Sequence, residues 1–184
     1  MGMALPVPQF TIEMLDTLPD DGNRYELLEG MLLVTPAPSS AHQIMATRLA
    51  TILTDALRES GKAHVVAVGA VQRGTNTQLQ PDVLVFPASF PPGTDWRTIQ
   101  GWWLAIEVMS PSSRVYDREV KRAAYLALGV EEYWLVDMRD HSIEVWRPGR
   151  ARSERTTDSL VWRPAALGTA VVLNLGEVFR DVGE

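Results

Sequence analysis

The order of elements in this 184-residue chain predicts an α/β fold: a mixed β-sheet flanked by helices, with an N-terminal hairpin and C-terminal strands added to it. Three observations carry that expectation. Apolar residues recur at helical spacing in a long segment after a proline break, β-branched and aromatic runs of strand length follow, and a second helical segment separates the third run from the fourth. Helix, three strands, helix, strand is an order that buries its apolar faces when the strands form a sheet with helices packed on it. The second helix is long enough for a right-handed crossover between parallel neighbours, whereas the short links between earlier strands predict antiparallel pairs. No linker, repeat or charge block divides the sequence, so 1–184 reads as one unit with 24–146 as its core.

Each element has a local reason. Thr11 to Leu18 reads as a short helix stopped by the turn-rich Pro19-Asp20-Asp21-Gly22-Asn23. Arg24 to Leu28 and Met31 to Thr35 flank Glu29-Gly30 and read as a hairpin, with Glu29 a turn residue, broken after Thr35 by Pro36 and Pro38. Ser40, with Gln43 three residues on, forms a capping box for a helix whose buried face is Met45, Leu49, Ile52, Leu53, Ala56 and Leu57. Gly61 supplies its C-terminal cap. Ala63 to Val68, Gln78 to Phe86 and Trp102 to Met109 are the next strands. A helix from Ser113 to Leu128 stops at Gly129. Glu132 to Val136 and Ser142 to Trp146 pair across a turn holding Asp140 and His141; Leu160 to Arg163 and Ala170 to Leu173 close the chain, with Asn174 capping a last helical turn.

Composition excludes several classes of function. Apolar residues make up 46% and charged residues 22%, ordinary for a globular protein and unlike a disordered or fibrous one. No apolar run approaches the ~18 residues of a membrane span, and Met1 to Phe10 lacks the basic start of a signal peptide, so a cytoplasmic location without membrane contact is expected. Without cysteine there is no disulfide, thiolate metal site or cysteine nucleophile. A net charge of −6 argues against coating nucleic acid by bulk positive charge, but an acidic metal site in a nuclease is compatible with it. Three scattered histidines argue against a zinc site, and the lack of a glycine-rich phosphate loop or Gly-x-Ser-x-Gly elbow argues against nucleoside triphosphatases and esterases.

Chemistry is suggested by acids in costly places. Asp82 opens Val83-Leu84-Val85-Phe86, Glu107 lies inside Trp102 to Met109, and Asp137 closes Tyr133-Trp134-Leu135-Val136. A carboxylate on a buried strand must be paired, hydrogen-bonded, metal-bound or protonated. Alternation places Glu107 on the face of Trp103, Ala105 and Met109, and if its strand neighbours that of Asp82, the two carboxylates converge on one cation. Asp117, Lys121 and Tyr125 share a helix face beside the small residues Val120, Ala124 and Ala127, so Lys121 can fold back over the sheet end. Two carboxylates and a lysine suit metal-assisted phosphodiester hydrolysis with Mg²⁺ or Mn²⁺. A structural ion pair of Lys121 with two strand acids explains the same pattern.

The ordered set of motifs carries a resemblance. Pro81-Asp82, Glu107-Val108-Met109-Ser110-Pro111-Ser112, Asp117-x-x-x-Lys121-x-x-x-Tyr125 and Gly129-Val130-Glu131-Glu132-Tyr133-Trp134-Leu135-Val136-Asp137 resemble the Uma family of restriction-endonuclease-like proteins, in the PD-(D/E)XK nuclease superfamily. Tyr25-Glu26-Leu27-Leu28-Glu29-Gly30 and Pro38-Ser39-Ser40-x-His42 fit its N-terminal pattern. The resemblance implies a restriction-endonuclease-like fold, Asp82 and Glu107 as metal ligands, the Val108 carbonyl completing the metal sphere, and Lys121 as the catalytic lysine. The superfamily's lysine normally follows the glutamate by two residues, where this chain has Met109; Lys121 on the next helix is the substitute.

Glu26 is either a further metal or water ligand or a solvent-facing hairpin acid, and His42 either touches phosphate and water or is a surface or capping group. Asp137 is assigned to holding the turn into Arg139-Asp140, His64 and His141 to structural or exposed positions, and Trp102, Trp103 and Trp134 to the core. Arg114, Arg118 and Arg122 beside Lys121, and Arg147, Arg150, Arg152 and Arg155 in one later loop, are candidates for phosphate contacts; a solvated hairpin tip explains the second group equally well. The expected function is Mg²⁺-dependent cleavage of DNA, by a symmetric homodimer if both strands are cut together. The alternative is a non-catalytic nucleic-acid-binding or regulatory module that keeps the nuclease fold.

Overall fold

The computed structural model describes residues 9–110 and 116–182. Three sheets are present among them. A six-stranded sheet has the order β10-β9-β8-β7-β6-β3, made of β3 (Ala63–Ala67), β6 (Val83–Pro87), β7 (Leu104–Val108), β8 (Tyr133–Asp137), β9 (Ser142–Trp146) and β10 (Glu154–Thr156). A four-stranded sheet, β2-β1-β5-β4, joins the hairpin β1 (Arg24–Leu28) and β2 (Met31–Thr35) to β4 (Val71–Arg73) and β5 (Thr77–Leu79). The third is a ribbon of β11 (Ser159–Trp162) and β12 (Val171–Asn174). Four α-helical segments accompany them: α1 (Ile12–Leu15), α2 (Ser40–Leu57), α3 (Arg122–Leu128) and α4 (Leu175–Val178). The β7–β8 pair is parallel, as its helical crossover predicts, and the other pairs are antiparallel, including β3–β6 and β6–β7, whose links are long.

Strand alternation sorts the core into two layers. Val83, Val85, Leu104, Ile106, Val108, Trp134 and Val136 meet Met45, Leu49, Leu53 and Leu57 of α2, with Trp162, Leu173 and Phe179 of the C-terminal segment beside them. Leu84, Phe86, Ala105, Tyr133 and Leu135 face the other way, onto Ala124, Tyr125 and Leu128 of α3 and Leu33, Val71 and Leu79 of the smaller sheet. Glu107 points to this second side, in step with Ala105 and Met109. Trp103 does not share it: it precedes β7, where the alternation has not begun, and packs in the α2 layer.

Local chemistry accounts for most boundaries and corrects several expectations. Glu29 and Gly30 both adopt positive φ (51° and 82°), the turn that suits the twist of a two-residue hairpin. The cap of α2 is Ser39 rather than Ser40, its hydroxyl accepting from the His42 N–H at 3.3 Å. Ala56 is exposed, while His42 and Ala46 join the buried face. After Leu57 the backbone tightens into a 3₁₀ turn, Arg58–Ser60, before Gly61 (φ 60°) ends it. The expected single strand Gln78 to Phe86 is two. Pro81 has no N–H to give a ladder, and the chain leaves the smaller sheet after Leu79 and enters the larger at Val83.

Asp117–Lys121 forms a π-type turn that runs into α3, which Gly129 (φ 98°) ends. The expected start of that helix at Ser113, and the Pro111-Ser112-Ser113 link, lie outside the described residues. Ala127 is exposed, so the packing surface is Ala124, Tyr125 and Leu128. Arg155, expected in a loop, lies in β10, an edge strand paired with β9. Asn174 caps α4 through a 3.4 Å bond from the Glu177 N–H. No helix of the described residues is long and apolar enough to cross a membrane.

Candidate active site

The passage of the chain from one sheet to the other fixes the site. Arg24 and Glu26 alternate onto one face of β1 and hold Gln80 from both sides: the Arg24 Nη1 donates to its carbonyl at 3.1 Å, and the Glu26 Oε1 accepts its N–H at 2.7 Å. That clip brings β1 beside Asp82 and Glu107. These residues surround a cleft of about 220 Å³ lined by Arg24, His42, Asp82, Glu107, Val108, Asp117 and Lys121, with the 35–39 loop on its rim.

Asp82 sits at the head of β6 with three donors on its carboxylate. Arg24 Nη1 reaches Oδ1 at 2.8 Å; the Val108 N–H reaches Oδ2 at 2.8 Å, and His42 Nε2 lies 3.0 Å from the same oxygen. A carboxylate only accepts, so Nε2 carries the hydrogen of that bond. Burial by itself would raise the Asp82 carboxyl, but His42, the Arg24 guanidinium and the Val108 N–H outweigh it and hold it at about 2.

Glu107, in the middle of the sheet, belongs to a second cluster. Its Oε1 takes the Lys121 ammonium at 3.1 Å and the Tyr125 hydroxyl at 2.9 Å. Lys121 Nζ also lies 2.6 Å from Glu26 Oε2 and 3.9 Å from Asp117 Oδ1. All these groups are buried, and Glu26 completely so. Burial pushes the Glu107 carboxyl well above the usual range; Lys121 offsets part of that, and Asp82, Asp117 and Glu26 add to it. For Lys121 burial works against the charge, but Glu107, Glu26 and Asp117 overcome it and raise the ammonium above its ordinary range. The π-type turn delivers Asp117 and Lys121 to the same buried side, and the Tyr133 hydroxyl donates to the Asp117 carbonyl at 3.1 Å.

The donor set suits a hard divalent cation. Among the described residues, four buried carboxyl groups (Glu26, Asp82, Glu107 and Asp117) accompany two permanent cations, Lys121 and Arg24, leaving a surplus of oxygen donors. Among the described residues no three acid or histidine side chains converge to hold a metal by themselves. A cation here would take Asp82 and Glu107 and complete its shell from main-chain, water and substrate oxygens, as Mg²⁺ commonly does.

The sequence candidates therefore divide. Asp82, Glu107, Val108, Lys121 and His42 come together at the cleft, and Glu26, behind Lys121, is a buried partner rather than a solvent-facing acid. Arg118 pairs with Glu144 at 2.6 Å, and Arg147 with Glu132 at 2.7 Å and Glu154 at 2.9 Å. Arg150 is exposed at the β9–β10 turn, and none of these three lines the cleft. Arg114 lies outside the described residues. Asp137 accepts from the N–H groups of Arg139 and Asp140 and holds the turn. His64 bonds the Phe90 carbonyl region at 3.0 Å, His141 stacks on Phe179, and the three tryptophans are core. Arg24 is the cleft residue that sequence reasoning missed; its two-residue spacing from Glu26 on a strand was the available signal.

Residues 12–175 match the family model Uma2, described as "Putative restriction endonuclease". No curated protein matches the sequence. Among solved structures, a putative nuclease of DUF820 from Anabaena variabilis shares the fold with a TM-score of 0.78 at 20% identity, over 92% of this chain and 97% of that one. A nuclease-type fold, a family model spanning most of the sequence and an acid-rich cleft with one buried lysine agree: the chain belongs to the Uma2 family of putative restriction endonucleases.

Proposed function

We propose that the protein is a metal-dependent endonuclease that hydrolyses DNA phosphodiester bonds, with Mg²⁺ as cofactor and Mn²⁺ as its substitute. The observation that carries this reading is that Asp82, Glu107 and Lys121, from three separate elements, line one cleft. Asp82 and Glu107 would hold the cation, with the Val108 carbonyl as a main-chain ligand. Bound there, a divalent ion supplies Lewis-acid chemistry, offsetting phosphate charge and making water more acidic.

The remaining work falls to the protein's own groups. Lys121, clasped by Glu26 and Glu107, keeps its proton at neutral pH, so its part is to align water and offset charge growing on the phosphate rather than to accept a proton. Tyr125 and Lys121 fix the Glu107 carboxylate from one side. His42, Arg24 and the Val108 N–H fix Asp82 from the other. Such locked rotamers give the pre-set geometry that phosphoryl transfer demands.

The test is cleavage of plasmid and single-stranded DNA in Mg²⁺ or Mn²⁺ by the wild type, Asp82→Ala and Lys121→Ala. Cleavage by the wild type and its loss in both variants is expected; equal cleavage by all three, or none by the wild type, rejects the proposal. One observation favours the non-catalytic module: Asp82 already has a full set of protein donors. Titration with Mn²⁺ separates the two, since the enzyme needs a cation site that Glu107→Ala destroys.

A further inference from the structure

The geometry points to Arg24 as the residue that grips the substrate phosphate, with one edge of its guanidinium anchored in the protein and the other open to the cleft. The inference rests on the nuclease reading and deepens it by assigning a ligand group within the same site.

The open edge follows from donor accounting. Arg24 has five N–H donors. The two on Nη1 are used by the Gln80 carbonyl at 3.1 Å and Asp82 Oδ1 at 2.8 Å. Among the described residues nothing accepts from Nη2 or Nε, and neither nitrogen is sealed from solvent. The side chain keeps 15% of its surface exposed and lines the cleft. Three N–H donors thus remain along the Nε–Nη2 side, the planar fork that matches two phosphate oxygens.

Among the described residues, Lys121, His42, Arg118 and Arg147 offer no such edge. Lys121 is taken by Glu26 and Glu107. His42 gives Nε2 to Asp82, and its Nδ1 is closed off. Arg118 and Arg147 are committed to Glu144 and Glu132 outside the cleft. The bond to Asp82 also places the guanidinium beside the proposed cation site, where a scissile phosphate must lie.

The experiment measures anisotropy of a labelled random-sequence duplex over a salt series, with Ca²⁺ in place of Mg²⁺, for wild type, Arg24→Met and Arg24→Gln. Losing a charged phosphate contact weakens binding roughly tenfold to a hundredfold. It also makes the slope of log K against log salt shallower by about 0.9, which a purely structural residue would not change. Calorimetric Mn²⁺ affinity should not fall in either variant. Arg24→Gln keeps an amide donor for Asp82 and decides the matter if Arg24→Met does not fold. In the wild type, phenylglyoxal should modify Arg24 and duplex should block it, a readout that needs no variant. An unchanged slope, loss of Mn²⁺ binding with the slope kept, or no duplex protection overturns the assignment while leaving wild-type cleavage intact. Absence of both binding and cleavage in the wild type instead rejects the nuclease reading, and this assignment with it.

Discussion

Replacing Lys121 by methionine tests whether the buried cluster is held by its ammonium or merely tolerates it. The side chain lies 2.6 Å from Glu26 and 3.1 Å from Glu107, and all three residues are at most 3% exposed. Methionine fills similar volume but leaves two carboxylates in a dry pocket with the Tyr125 hydroxyl as Glu107's remaining donor in the cluster. Breaking a buried pair from one side costs about 3–5 kcal/mol. In a domain of this size that lowers Tm by roughly 6–20 °C. The cost also depends on pH. Burial already raises the Glu107 carboxyl and Lys121 offsets part of that, so without Lys121 the native state binds a proton more firmly than the unfolded chain does, and stability is lost as pH rises above about 4.5. Urea unfolding with EDTA at about pH 5 and pH 8 should therefore show the larger penalty at the higher pH. The double variant Lys121→Met/Glu26→Gln should recover part of it. A Lys121→Met protein as stable as the wild type at pH 8, or one with the same deficit at both pH values, would refute the reasoning.

Three further outcomes follow from the same contacts. Asp82, held at about 2 against an ordinary 3.8, contributes stability above pH 4 that is lost as pH falls toward 2. The amount is about 2 kcal/mol, so metal-free Asp82→Asn should show a flatter acid limb in urea titrations, and an unchanged limb would contradict it. Tyr125→Phe deletes the 2.9 Å hydrogen bond to the Glu107 carboxylate; a loss of roughly 1.5–3 kcal/mol is expected by urea unfolding, and a change under about 0.5 would show the bond to be incidental. Val68, a β-branched residue at φ 55° whose N–H bonds the Asp82 carbonyl at 3.1 Å, carries backbone strain beside the site. Val68→Asn should raise Tm by a few degrees, roughly 1 kcal/mol, because asparagine tolerates that conformation; a lower Tm would place the strain elsewhere.

What the sequence makes legible is local. The β1–β2 hairpin, the amphipathic α2, the Gly129 stop and the parallel β7–β8 crossover follow from turn residues, periodicity and loop length, and each lies where those signals put it. The break between β5 and β6 was the feature hardest to read. Gln78 to Asp82 alternates polar and apolar residues and runs straight into the apolar Val83 to Phe86, and Pro81 is compatible with a strand end as well as a switch between sheets. Missing that switch hides the smaller sheet, which holds Glu26 and Arg24, so Glu26 could stand either in solvent or in the site, and Arg24 drew no notice. The arginines after Trp146 erred in the opposite direction. They are conspicuous as a cluster, yet Arg147 and Arg155 are drawn into pairs with Glu132, Glu154 and Asp140. Charge density along a chain does not reveal which charges their neighbours already satisfy.

The energetics give a reason to regard this cleft as more than a structural ion network. Replacing a buried ion cluster by apolar residues of similar volume is often neutral or stabilising, so such a cluster is poorly explained by stability alone. Here the arrangement is asymmetric in a way a structural pair need not be. Asp82 is over-supplied with donors and held firmly ionised, whereas Glu107, which the β6–β7 register carries to the position opposite it, is pushed toward its protonated form by burial and by three neighbouring carboxylates. Two acids driven in opposite directions within one cleft form an environment that a divalent cation would equalise, since it favours the ionised form of both. Tyr125, which donates to Glu107, stacks on Tyr133 with ring centroids 5.3 Å apart, and burial raises both hydroxyls, so the aromatic side of Glu107 stays neutral. Neutral tyrosines behind Glu107, a fixed ammonium and an unevenly charged carboxylate pair together leave the unmet electrostatic demand to the cleft itself, where Arg24 and the 35–39 loop meet solvent.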